Sequence, residues 1–118
     1  MMLNFRFRFR SPQRDRQTDR ARLMRIQQNV RAAVTDAEHE LTGLRTRLEK
    51  ARQSATFLLG GMEGGEHGEA RVSEIKSVEA RLLVADRRIA QLKDHIAALR
   101  RVEGAINIEL MAIMSPSP

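Results

Sequence analysis

The chain has 118 residues, a formal charge of +6, no cysteine, and four phenylalanines as its only aromatic residues. That length holds one domain at most, the lack of cysteine excludes disulfides and thiolate metal sites, and no apolar run approaches the roughly 18 to 20 residues that cross a bilayer. The charge is concentrated: residues 1–25 carry eight arginines against Asp15 and Asp19, and the rest of the chain sums to zero, so any electrostatic function maps to the N-terminus.

Residues 1–11 form an arm built on Phe5-Arg6-Phe7-Arg8-Phe9-Arg10. In an extended backbone this period of two places the rings on one face and the guanidinium groups on the other, whereas a helix would scatter them. Such an arm suits three partners. As a strand it adds to the edge of a partner's sheet. As an arginine peptide, extended by Arg14 and Arg16, it binds nucleic-acid phosphates with its rings free to stack on bases. At an anionic membrane the rings insert while arginines meet headgroups. The plain alternative is a solubilising tail. Phe and Arg alternate where a secretory signal has a continuous apolar stretch, which predicts a cytoplasmic protein. Arginine outnumbers lysine 18 to 3, the bias of a GC-rich, bacterial genome.

Ser11-Pro12 reads as a helix start, serine as N-cap and proline at the first helical position. From there to residue 59 the spacing predicts one long helix. Leu23, Gln27, Val30, Val34, Ala37, Leu41, Leu44, Leu48, Ala51, Ala55 and Leu58 recur at alternating steps of four and three, and only Gln27 is polar. Glycines crowd residues 60–68 and predict a loop. A second helix is expected over 69–114, with Ile75, Val78, Leu82, Ala85, Ile89, Leu92, Ile96, Leu99, Glu103, Ile106, Leu110 and Ile113 in the same rhythm and only Glu103 polar. The Ser-Pro tail of 115–118 stops it. An apolar stripe every 3.5 residues is what two helices need in order to wrap around each other. The fold class is therefore all-α, an antiparallel two-helix coiled-coil hairpin. With the turn at its middle, facing residue numbers add to about 130, which sets Gln27 and Glu103 at the same level, give or take one layer, as a polar layer fixing register.

A two-helix seam buries only a stripe, and the end of the hairpin away from the loop carries apolar residues in surplus: Met24, Ile26, Val102, Ile106, Ile108, Met111 and Met114. These predict a surface for a second copy, giving a four-helix dimer, or for a protein partner, and methionines suit adaptable contacts.

Little in the chain points to catalysis. His67 beside Glu63, Glu66 and Glu69 sits in a glycine-rich turn that organises no metal site, the glycines fit neither a Walker loop nor a dinucleotide fingerprint, and Ser54, Ser73 and Ser77 have no neighbouring base with an orienting carboxylate. The expectation is a non-enzymatic scaffold or adaptor with no catalytic residue, cofactor or metal. The competing expectation is a nucleic-acid-binding protein using the N-terminal arginines.

The Phe-Arg-Phe-Arg arm of residues 5–10, followed by an arginine-rich entry into a long helical hairpin, resembles the small coiled-coil chaperone and stalk proteins of flagellar and type III export machines. The chain departs from them at Ser11-Pro12 and in its glycine loop. The resemblance implies docking to an export ATPase or gate protein, and assigns no individual residue a role.

Overall fold

The computed structural model describes residues 11–60 and 68–115. The Phe/Arg arm of residues 1–10, loop residues 61–67 and tail residues 116–118 lie outside the described residues. The protein is an all-α helical hairpin of two long helices, α1 (Pro12–Gly60) and α2 (Gly68–Met114). Each takes in one glycine from the stretch expected to be loop.

Local chemistry explains both termini. The Arg14 backbone N–H donates to Ser11 Oγ at 3.2 Å, and the Asp15 N–H reaches the Ser11 carbonyl at 3.2 Å. Ser11 is thus a true N-cap, with Pro12 occupying the position that has no N–H to satisfy. At the other terminus Ser115 donates its N–H at 3.0 Å and its hydroxyl at 2.9 Å to the Met111 carbonyl, closing the last turn of α2. Thr46 and Thr56 return their exposed hydroxyls to the carbonyls of Thr42 and Arg52, four residues back.

Both stripes are where the heptad spacing puts them. Every stripe residue in α1, from Leu23 to Leu58, and every one in α2, from Ile75 to Ile113, is buried or half-buried, while most residues between them are exposed. The helices form two units. In the first, Met1–Val34 and Ala98–Pro118, Ile106 and Leu110 are buried. Here Gln27 Nε2 donates to Asn107 Oδ1 at 2.6 Å and Arg31 Nε to Glu103 Oε2 at 2.8 Å. Partner numbers fall on α2 as they rise on α1, so the helices run antiparallel.

The second unit, Thr35–Ala97, has its core at Ala37, Leu92 and Ile96, with Leu41 and Leu44 packed against them. Leu92 is 1 % exposed and is the one large side chain enclosed completely among the described residues. Burying a leucine this fully contributes about 2 kcal/mol. Arg88 pairs with Glu40 and Arg52 with Asp86, again in antiparallel order.

The register falls within one layer of the sequence expectation. Gln27 meets Asn107, one helical turn beyond Glu103, and Glu103 turns to Arg31. Each polar stripe residue finds a partner just off the opposite stripe.

Candidate protein-interaction surface

The first unit carries the apolar residues expected to be surplus to the seam, and helix geometry sorts them. Ile106 is 7 % exposed. It is a seam residue, unavailable to a partner, because it belongs to the same stripe as Leu99, Leu110 and Ile113. Met24 is half-buried beside Gln27. Ile26 and Val102 are each 48 % exposed, and Ile108, Met111 and Met114 are 67 %, 69 % and 63 % exposed.

At 100° per residue, these do not form one continuous patch. Arg31 and Asn107 mark one flank of the seam, because both make cross-helix hydrogen bonds there. Met24 and Met114 share that flank, with Met111 further round. Ile26 and Val102 lie on the opposite flank. Ile108 stands on the back of α2, facing away from α1, beside Gly104, whose missing Cβ would meet nothing within 4 Å. The result is an apolar ridge of Met114, Met111 and Ile108 wrapping one side of α2, and a smaller spot at Ile26 and Val102 on the other.

The arginines that lead into α1 are placed by the register. With Gln27 across from Asn107, Ser115 reaches the level of Asp19, so residues 12–18 of α1 extend past the last described residue of α2. Arg14 and Arg16 lie in this segment and are exposed. Arg22 pairs with Asp19 at 3.4 Å, both largely exposed, a contact of little energetic weight. Phe5, Arg6, Phe7, Arg8, Phe9 and Arg10 lie outside the described residues, as do Glu63, Glu66 and His67.

In the second unit the electrostatics are organised along the flanks of the seam. Arg88 grips Glu40 with two parallel hydrogen bonds, Nε to Oε2 at 2.7 Å and Nη2 to Oε1 at 3.0 Å, the bidentate geometry that suits guanidinium and carboxylate. The hydrogen bond from Arg88 holds the Glu40 carboxyl below its ordinary value, outweighing an opposing desolvation, with Arg88, Arg47 and His95 adding weaker electrostatic attraction. The same bond raises Arg88. This pair and its neighbours were not visible in the sequence, since flanking partners are defined only once the register is known.

His39 and His95 are exposed, and among the described residues no three His, Asp or Glu side chains converge as metal ligands would. No described helix is long and apolar enough to cross a membrane. No family model matches the chain, and no curated protein or solved structure does either.

Proposed function

We propose that this protein is a non-enzymatic coiled-coil scaffold or adaptor that associates with a second copy of itself, and with a protein partner, through the first unit and the Phe/Arg arm attached to it. The observation that carries the reading is the exposure of Ile108, Met111 and Met114. The seam is already complete in this unit, so these side chains have no work inside the hairpin, and leaving three large apolar groups in water forgoes several kcal/mol that association would recover. Light scattering over a dilution series tests it. The full chain should exceed the mass of one chain at micromolar concentration, and Ile108→Lys with Met111→Lys should return it to one chain without loss of helix. A wild-type protein that stays a single chain across the series counts against self-association.

A nucleic-acid reading draws support from Arg14 and Arg16, which stand exposed on the segment of α1 that outruns α2. Its mark is salt. Phosphate binding weakens steeply as salt rises, because each neutralised phosphate releases counterions, whereas an apolar interface changes little. Binding of labelled duplex DNA that is unaffected when Arg14 and Arg16 become glutamine would remove this reading.

A further inference from the structure

The second unit contains a feature that the self-association reading does not use. One heptad along from Glu40 on α1 is Arg47, and one heptad back from Arg88 on α2 is Arg81. In an antiparallel pair these two steps lead to facing positions, so the bidentate Glu40–Arg88 pair is followed on the same flank by arginine against arginine. Among the described residues neither Arg47 nor Arg81 forms an ion pair. Arg47 instead lies back along its own helix, its Nε 3.4 Å from the Gly43 carbonyl, and feels Glu40 only as a longer-range attraction.

Beneath these two arginines runs a groove of about 650 Å³ between the helices. Its floor is apolar, formed by Leu44, Leu48 and Ala51 of α1 and by Leu82 and Ala85 of α2. The small side chains of Ala51 and Ala85 keep it deep. Val84, 66 % exposed, forms part of its α2 wall. Facing like charges on a coiled-coil flank cost stability, and an apolar channel under them adds exposed hydrocarbon. Both costs are relieved by one object, an apolar ridge with a carboxylate beside it.

We infer that this groove is a docking site for an amphipathic helix of a partner protein, a helix whose apolar stripe fills the channel and whose Asp or Glu side chain bridges Arg47 and Arg81. Charge complementarity selects an acidic helix. The open, trough-like form selects a helix over a small amphiphile, because a small ligand needs most of its surface enclosed, whereas a helix covers its own outer face and lays only one stripe into the groove. The site lies wholly within the second unit and uses none of the residues on which self-association rests.

The opposite flank supplies an internal control. One heptad from the Arg52–Asp86 pair lie Arg45 and Lys93, also two facing cations, but neither lines the groove. The probe is a labelled, stapled helical peptide with leucines at i, i+3, i+4 and i+7 and glutamates on both sides of that stripe, titrated into the full chain by fluorescence anisotropy. Saturable binding is expected. Arg47→Gln with Arg81→Gln should weaken it at least tenfold, roughly the effect of losing one charge-assisted contact. Arg45→Gln with Lys93→Gln should leave it within about twofold. A peptide with glutamines in place of the glutamates should also bind at least tenfold more weakly. Circular dichroism checks that both variants keep their helix. The inference is overturned by absent binding, by equal losses in the two variants, or by binding that persists without Arg47 and Arg81. It is also overturned if the groove is filled by a second copy, seen as a wild-type oligomer that Arg47→Gln with Arg81→Gln dissociates and Ile108→Lys with Met111→Lys does not.

Discussion

Gln27 and Asn107 join their side-chain amides across the seam at 2.6 Å, although only Gln27 belongs to an apolar stripe. Both are half-buried, so each amide would otherwise face the seam with part of its hydrogen bonding unmet. Gln27→Leu alone should cost about 1 kcal/mol, because it strands the Asn107 amide. Gln27→Leu with Asn107→Leu should recover that loss or exceed it, at the expense of a unique register. Urea unfolding of the four members of this double-mutant cycle measures the coupling, and additive effects would show that the bond contributes nothing.

Leu92 is the keystone of the second unit. Leu92→Ala should destabilise by about 3 kcal/mol, combining lost burial with the cavity left in its cluster with Ala37 and Ile96. For a fold whose total stability is about 5 to 15 kcal/mol at most, that is a large share. Thermal unfolding should show a clear drop in midpoint, whereas Leu83→Ala, at a position 57 % exposed, should change it little.

The Glu40–Arg88 pair makes a prediction about pH. The folded-state pKa of Glu40 is lowered, so the unfolded chain binds its proton more readily. The pair's contribution is therefore present above the ordinary glutamate pKa of about 4.3, and is lost as pH falls through the lower folded value. Glu40→Gln should flatten the acid side of the stability profile, with little pH dependence added or removed near neutrality. Urea midpoints measured from neutral to acidic pH for both proteins provide the check, and parallel curves would show that the pair carries no linkage.

Gly104 lies inside α2 with open space where a Cβ would go. Gly104→Ala should raise stability by about 1 kcal/mol through helix propensity alone. Failure to do so would indicate that the glycine is kept for close approach of another chain beside Ile108.

The heptad spacing identified the inner face of each helix residue by residue, because burial in a two-helix seam follows directly from period. The start at Ser11-Pro12 was equally legible, since capping depends on a few adjacent atoms. Register was legible only to within one layer, because the glycine stretch locates the turn, whereas the off-stripe partners Asn107 and Arg31 mark the level of pairing itself. For the same reason Glu40–Arg88 and the facing Arg47 and Arg81 are not legible in the sequence: a charge sum of zero over the rest of the chain conceals how charges pair. Ile106 fits both the stripe and the surplus apolar set in the sequence, an ambiguity that arises where a segment is apolar on nearly every face.

The seven-residue recurrence also constrains how such a chain can change length. Removing one residue from α1 would swing everything beyond it by about 100° and carry the stripe off its face, leaving arginines and glutamates pointing inward. Excising seven residues from α1 together with the seven facing them on α2 restores both orientation and pairing. Insertions and deletions should therefore be tolerated as matched heptads in the two helices, a rule of paired indels that follows from geometry whatever the protein binds.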